Sequence, residues 1–152
     1  MICFEQRPEF VEFANRLMGQ KFAPDRVTTI SQLDAAGRPV GVVLFSDFNE
    51  CNGQISVAST TPRFLSRSLL RTVFGYVFGQ CNLRRVTCFV ATDNGRSLSL
   101  ARRLGFVQEG ILARWFGEKD GIVLRMLPEE CRWLGGNEHG QRFGLGQPAT
   151  NA

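Results

Sequence analysis

Apolar residues recur with two different periods along the chain, and the changes of period separate predicted helices from predicted strands. A short apolar start at residues 1–4 predicts an edge strand, and apolar positions three or four residues apart between Pro8 and Gly19 predict a helix. Asn49 to Gly53, which contains the turn-typical pair Asn52-Gly53, predicts a hairpin turn. Runs rich in β-branched residues lie on both sides of it and predict three strands, at residues 26–33, 39–45 and 54–59.

The second half of the chain alternates between helical and strand patterns. Thr61-Pro62 is typical of a helix start, and an apolar stripe of helical period then predicts a helix from Pro62 to about Gln80. A buried strand is predicted at residues 85–91, and a further helix, ended by a glycine, at residues 94–104. Two further strands are predicted at residues 106–116 and 122–127, with a turn between them at residues 117–121. One helical turn is predicted at residues 129–134.

This order of elements predicts an α/β fold with a mixed sheet. The strand, helix and strand over residues 54–91 require a parallel strand pair, because the second strand follows the first by a right-handed crossover. Ligands of such sheets bind beyond the carboxyl ends of the parallel strands. Those ends are residues 59–63 and 93–97, which therefore form the first candidate site.

The length of 152 residues is that of one domain. We assign residues 1–134 to the folded domain, and residues 135–152, which are rich in Gly, Asn, Gln, Pro and Ala, to a flexible Gly-rich tail. No apolar run reaches the ~20 residues of a membrane-spanning helix, and no leader pattern opens the sequence. We therefore expect a cytoplasmic protein without membrane association.

Charge and cysteine content narrow the classes of ligand. The formal net charge is +4, and the arginines are concentrated between Arg63 and Arg103, which favours a local phosphate site over a long polyanion. Because no zinc-finger spacing and no basic run of five are present, nucleic-acid binding rests on charge alone. Five scattered cysteines without a C-x-x-C pair, and the single His139, predict reduced thiols and no metal site.

The segment from Asn94 to Gly110 combines Asn, Ser three residues later, an amphipathic helix that ends in Leu-Gly-Phe, and Glu-Gly. It resembles the signature of the GNAT superfamily of acetyl-CoA-dependent N-acetyltransferases, and within it the branch that acetylates N-termini of ribosomal proteins. Residues 117–126 are similar to the last turn and strand of that branch, and the short chain resembles GNAT-like proteins of bacteriophages. The likeness, over about residues 1–134, implies a mixed, mostly antiparallel sheet with one parallel, splayed strand pair flanked by helices.

The resemblance implies acetyl-CoA as co-substrate and indicates which residues bind it. The family's pyrophosphate loop corresponds to four candidate ligands here: Arg63, Ser66, Arg67 and Ser68. Serines replace both glycines of the family pattern, and the alternative for the arginines is a solvent-facing position on a helix. The pantetheine arm is expected to pair, as an added strand would, with the backbone of Val57, Ala58 and Ser59. Asn94 and Ser97 are expected to contact this arm, with a helix N-cap as the alternative for Asn94.

The implied reaction is direct attack of a neutral amine on the thioester, which needs a base for the amine and an acid for the leaving thiolate. Many relatives carry a Tyr acid seven residues after the Asn, where this chain has Ala101. Ser97 is the candidate in its place, since the sole tyrosine, Tyr76, is expected in the core. The candidate base is Glu50, and the alternatives are a plain turn role for Glu50, water, Asp47 or Asp93.

Two functional hypotheses follow from the resemblance. The first is an N-acetyltransferase acting on a primary amine, which is a protein N-terminus, a lysine or a small amine. The second is a catalytically degenerate GNAT fold kept as an interaction or structural module, which the missing Tyr and the loop serines favour. The acceptor groove is expected near the first helix and residues 22–26 and 115–121, where three aromatic residues are either groove walls or core: Trp115, Phe116 and Trp133. A monomer or a homodimer is expected.

Overall fold

Seven β-strands and three α-helices make up the fold in the computed structural model, which describes residues 1–61 and 63–135. The strands are β1 (Ile2–Cys3), β2 (Thr28–Leu33), β3 (Pro39–Ser46), β4 (Asn52–Ser59), β5 (Arg85–Ala91), β6 (Val107–Phe116) and β7 (Lys119–Met126). The helices are α1 (Pro8–Met18), α2 (Arg67–Phe74), which a π-helical segment (Gly75–Gln80) extends, and α3 (Gly95–Leu104). Except for Gly135, the predicted tail at residues 135–152 lies outside the described residues.

The strands form one sheet in the order β1-β2-β3-β4-β5-β7-β6. Every neighbouring pair is antiparallel except β4 and β5, whose parallel ladder joins only residues 52–54 to residues 85–87. Beyond this ladder β4 continues beside β3, and β5 continues beside β7. The predicted fold class, a mixed and mostly antiparallel sheet with one splayed parallel pair, is confirmed.

Helices cover the two faces of the sheet unequally. On the first face, α2 and α3 share the larger hydrophobic core with the strands, through residues such as Leu69, Ala101 and Leu124. On the second face, α1 packs over β2, β3 and β4, where Phe10 belongs to a smaller cluster with Val42 and Ala58. Trp115 of β6 lies outside both clusters and is 49% exposed.

Tyr76 belongs to the core, as predicted. Its side chain is fully buried and packs edge-on against Phe45, with the ring centroids 5.2 Å apart. Burial raises the pKa of the phenol, and its hydroxyl is hydrogen-bonded to Thr28 and Cys81. The ring therefore contributes packing and is not a proton donor for a ligand at the end of the sheet.

The predicted turn at residues 49–53 is wrong at its carboxyl end, because Asn52 and Gly53 lie in β4 and form the parallel ladder. The turn comes before them and is held by Asn49, whose Oδ1 accepts hydrogen bonds from the backbone N–H groups of Cys51 and Asn52, both at 2.8 Å. Gly53 is required for space, since a Cβ there would lie 2.8 Å from the ring of Phe48. Gly53 therefore belongs to a strand that is closely packed against Phe48, and not to the turn.

Helix α2 begins at Arg67, so the predicted start at Pro62 is wrong. The hydroxyl of Ser66 accepts a hydrogen bond from the backbone N–H of Leu69 at 3.1 Å and caps the helix. The preceding loop is anchored by Phe64, which is buried in the space that a Cβ at Gly41 of β3 would occupy. This contact of Phe64 with β3 is a tertiary contact that the local signal of Thr61-Pro62 does not contain.

The other differences are at the ends of elements. Strand β2 begins at Thr28, because Pro24–Arg26 forms a 3₁₀ turn, and β7 begins at Lys119 within the predicted turn. The predicted helical turn at residues 129–134 is a 3₁₀ turn at Pro128–Glu130. None of these shifts changes the order or direction of the strands.

Candidate functional site

The candidate site is the gap between β4 and β5. Within residues 1–61 and 63–135, the parallel ladder ends at Gln54 and Thr87, so residues 55–59 and 88–91 face each other without a ladder between them. Backbone N–H and C=O groups at such an edge are available to a ligand that lies in the gap as an extra strand. The gap opens toward the carboxyl ends of both strands, where the candidate site was predicted.

The loop between β4 and α2 places a helix N-terminus and two arginines on the β4 side of the gap. Because Ser66 caps α2, the backbone N–H groups of Arg67 and Ser68 lie in the first turn, where a helix leaves its amides without internal partners. Arg63, Ser66, Arg67 and Ser68 are all exposed. The positive end of the helix dipole and the guanidinium groups together favour an anionic ligand such as a pyrophosphate. The structure thus brings the four predicted loop residues together.

The two serines that replace glycines of the family pattern do not have backbone conformations that require glycine. Neither Ser66 nor Ser68 is among the described residues with positive φ, and Ser66 has φ −68° and ψ 157°. Ser66 Oγ accepts the capping N–H of Leu69, which leaves its own O–H group as a donor. The carbonyl of Ser68 accepts a hydrogen bond from the Thr72 hydroxyl at 2.9 Å. Both serines are therefore compatible with a phosphate-binding turn.

Residues 57–59 form the β4 side of the gap and pair with β3 through their other edge. Ala58 is buried in the cluster beneath α1, and Val57 packs against the larger core. The hydroxyl of Ser59 donates to the carbonyl of Thr61 at 2.6 Å and accepts the backbone N–H of Thr61 at 3.0 Å. This hydroxyl therefore stabilises the loop, and contact between the backbone of Ser59 and a ligand stays a prediction.

Asn94 caps α3 on the β5 side of the gap. Its Oδ1 accepts a hydrogen bond from the backbone N–H of Ser97 at 3.2 Å, so the N-cap alternative is realised. The N–H groups of the same side-chain amide are separate donors, and the side chain is exposed. Contact between these donors and a ligand stays a prediction.

The candidate catalytic residues lie at different ends of the gap. Ser97 is half-buried in the first turn of α3, beside the open end. Glu50 is exposed in the turn before β4, beyond the ladder that closes the gap. Ala101, at the position of the family's Tyr, is buried in the larger core. The structure does not bring Ser97 and Glu50 together, and their roles stay predictions. The alternative base Asp93 forms an ion pair with Lys119 at 2.8 Å.

An aromatic pair lies beside the gap on the second face of the sheet. The rings of Phe89 and Trp115 are stacked, with centroids 4.5 Å apart and planes at 24°. Phe89 was not among the predicted site residues, although its place between the core residues Cys88 and Val90 of a strand indicates that it points to the opposite face. Trp133, by contrast, packs against the larger core and donates its Nε1–H to the carbonyl of Leu104 at 2.8 Å.

Neither a cluster of metal-ligating side chains nor a membrane-spanning helix occurs in residues 1–61 and 63–135. Over this part of the chain no group of three or more His, Cys, Asp or Glu side chains could hold a metal ion. No helix there has the length and apolar character needed to span a bilayer. The five cysteines are free.

Comparison with solved structures finds spermidine N-acetyltransferases. A SpeG chimera from Vibrio cholerae and hSSAT has a TM-score of 0.67 at 19% identity, over 85% of this chain and 96% of that chain. Spermidine N-acetyltransferase from Vibrio cholerae in complex with CoA and spermine has a TM-score of 0.66 at 18% identity, over 86% and 96%. The dodecameric structure of that enzyme has a TM-score of 0.57 at 22% identity, over 78% and 72%. No family model and no curated protein matches the sequence. The chain thus has the fold of the GNAT N-acetyltransferases.

Proposed function

We propose that the chain is an acetyl-CoA-dependent N-acetyltransferase that transfers an acetyl group to a primary amine. The observation that carries the proposal is the gap between β4 and β5, with the capped N-terminus of α2 on one side and that of α3 on the other. A strand edge suits an extended arm that contains amides, and a helix N-terminus suits phosphates. Acetyl-CoA joins these two chemical features in one molecule.

In the proposed complex the pyrophosphate lies at the N-terminus of α2. The backbone N–H groups of Arg67 and Ser68 donate to it, and the Ser66 hydroxyl adds a further donor. The guanidinium groups of Arg63 and Arg67 contribute positive charge and form charge-assisted hydrogen bonds to the phosphates.

The pantetheine arm then runs along β4 into the gap. Its amides pair with the backbone of residues 57–59, and Asn94 reaches it from the other side through the side-chain N–H groups. Ser97 lies on the same side, in the first turn of α3. This path carries the thioester toward the closed end of the gap, at Gln54.

The chemistry is a direct transfer. The neutral amine attacks the thioester carbonyl, a backbone N–H at the edge of β4 donates to the oxyanion, and the intermediate collapses with loss of the CoA thiolate and of a proton from the amine. A thiol has a pKa of about 8.5, so its thiolate leaves readily even though Ala101 replaces the family's acid. The thiolate takes its proton from water that the Ser97 hydroxyl holds by hydrogen bonding at the open end, and the amine's proton passes through water to Glu50 beyond the closed end.

The acceptor is proposed to be a protein N-terminus, a lysine or a small amine, in the manner of the branch that acts on ribosomal proteins or of its phage-type relatives. The solved neighbour with CoA also binds spermine, which is a polycation. A net charge of +4 does not complement a polycation, so a polyamine is the less favoured acceptor for this chain. A cytoplasmic monomer or homodimer belongs to the same proposal.

A catalytically degenerate interaction module is the second candidate. The buried Ala101 at the position of the family's acid favours it. The serines of the loop do not, since their backbone conformations need no glycine. The module is therefore distinguished from the enzyme by turnover and not by binding of the cofactor.

The test is calorimetric titration of the purified chain with acetyl-CoA. We expect a Kd in the micromolar range, and a loss of about tenfold in both Arg63→Ala and Asn94→Ala, because each removes a hydrogen-bond donor to the cofactor. Arg103→Ala is the matched control, since this exposed arginine lies in the last turn of α3, away from the gap, and its loss should leave the Kd unchanged. Absence of binding at millimolar acetyl-CoA would contradict the proposal, and binding without acetylation of any amine would favour the module.

A further inference from the structure

Phe89, Trp115 and Val123 form a continuous apolar surface, here called the shelf, on the second face of the sheet. Phe89 and Val123 are cross-strand partners on β5 and β7, so their side chains point to the same face. The ring of Trp115 reaches Phe89 from β6, stacks on it and is 49% exposed. Helix α1 packs over β2, β3 and β4 instead, so the shelf stays open to solvent in the described residues.

The position of Trp115 is determined by its neighbours. A Cβ at Gly121 of β7 would lie 2.8 Å from the Trp115 Cβ, so only glycine lets the indole cross β7 toward Phe89. Arg114, the residue before it, has the unusual φ of 56° and is held by a hydrogen bond from its backbone N–H to Asp120 Oδ1 at 2.9 Å. Such strained, over-determined positions cluster where a side chain must be aimed at a ligand.

The shelf begins at the edge of the gap. Phe89 follows Thr87 by two residues on the same face, and Thr87 is the last residue of β5 that pairs with β4. A substrate that approaches the gap from the second face therefore meets the aromatic pair next to the point where the strands part. The cofactor is proposed to enter from the side of α2 and α3, so the two ligands do not compete for this surface.

Two carboxylates at the margins of the shelf, those of Glu109 and Asp93, are held in ion pairs. Glu109 pairs with Arg85 at 2.6 Å and with Arg125 at 3.8 Å. At the other end Asp93 pairs with Lys119 at 2.8 Å. A polycationic acceptor would have to compete with these arginine and lysine side chains for the carboxylates, whereas an apolar group gains from covering the half-exposed indole.

We infer that the shelf binds the apolar side chain next to the acceptor amine, and that the acceptor is a peptide N-terminus whose first residue is bulky and apolar. The inference rests on the proposed function, which it makes more specific. An open face across three strands suits a chain that continues beyond the amine, because small-molecule sites enclose most of their ligand. Trp115 is the specificity-determining residue, and it contacts the side chain of the first residue and not the reacting atoms.

The experiment measures acetylation of two peptides that differ only in their first residue, Phe or Gly, with acetyl-CoA and the full chain. We expect kcat/KM to be about tenfold higher for the Phe peptide, because an apolar pocket discriminates by the area it covers. Trp115→Ala should remove this ratio, Trp115→Phe should restore part of it, and the Kd for acetyl-CoA should not change. Ile111→Ala is the control, because Ile111 is exposed on the same strand but pairs with Ile122 of the first face.

Equal kcat/KM for the two peptides, or an equal loss for both in Trp115→Ala, overturns the shelf as a specificity site. Faster acetylation of spermidine than of the Phe peptide overturns it as well. If no acetyl transfer occurs at all, the proposed function is wrong. Calorimetric titration with the two peptides then tests separately whether the shelf binds an apolar first residue. Tighter binding of the Phe peptide, abolished by Trp115→Ala, would support the shelf as a binding site. Equal binding of both peptides would contradict it.

Discussion

Helices pack on both faces of β2, β3 and β4, here called the covered half of the sheet. They pack on only one face of β5, β7 and β6, here called the open half. The last six residues of β3 are all buried, while β6 contains no buried residue over its whole length. Two features account for the difference: β6 is an edge strand of the sheet, and α1 packs over β2, β3 and β4. The covered half supplies packing, and the open half keeps one face for a ligand.

The gap lies at the border between these halves. Its closed end is densely packed, since a Cβ at Gly53 would meet the side chains of Phe48 and Leu83 at 2.8 and 3.0 Å. Its open end carries the exposed N-termini of α2 and α3. A site that must hold a long ligand in one register needs a rigid closed end and an exposed open end.

The largest expected difference between the halves is in stability. Phe10 is fully buried beneath the covered half, and Phe10→Ala should lower the free energy of unfolding by about 3–5 kcal/mol. Trp115→Ala on the open half should cost about 1 kcal/mol, because half of the indole is already in water. Guanidinium unfolding of both variants checks this. Equal losses would show that the halves do not differ in what they contribute.

The second prediction concerns the anchor of the loop. Gly41→Ala places a Cβ in the space of the Phe64 ring, so we expect a loss of about 1–3 kcal/mol and weaker binding of acetyl-CoA, because the β4–α2 loop must shift. Gly110→Ala on the open half is the matched control, since its Cβ would meet Val123 Cγ1 at an ordinary 3.8 Å. Thermal unfolding and calorimetric titration measure the two effects. Unchanged cofactor affinity in Gly41→Ala would mean that Phe64 does not position the loop.

The smallest expected effect is at alkaline pH. Burial raises the pKa of Cys88 from 9.0 to about 12, so the folded state keeps this proton longer than the unfolded chain does. The stability that the protonated Cys88 thiol contributes is therefore fully present below pH 9. The free energy of unfolding should fall between pH 9 and 12, and this thiol accounts for a slope of at most ~1.4 kcal/mol per pH unit. Unfolding at pH 8 and pH 10 measures it. Cys88→Ala should reduce the slope, and Cys51→Ala, at an exposed position, should leave it unchanged.

Local signals predicted elements well where nothing distant competes with them. The β5 strand at residues 85–91 and the α3 helix that follows are as predicted, because Asn94 caps the helix and Gly105 ends it with a φ of 111°. Asn52-Gly53 and Thr61-Pro62 are equally strong local signals, and both mislead. In each case a neighbouring aromatic ring makes a contact that the local signal does not contain: Phe48 packs over Gly53, and Phe64 packs into the space beside Gly41 of β3.

The sequence by itself determined the order of the elements, the parallel pair within an otherwise antiparallel sheet, and the clustering of Arg63 to Ser68 and Asn94 at its carboxyl end. Only the tertiary structure decided that the parallel ladder ends after Gln54, that Ser97 and Glu50 lie apart, and that Phe89 stacks on Trp115. The physical reason is that periodicity shows which side of an element is apolar. Which partner meets that side depends on strand register and on contacts between residues far apart in the chain, and no local pattern encodes those.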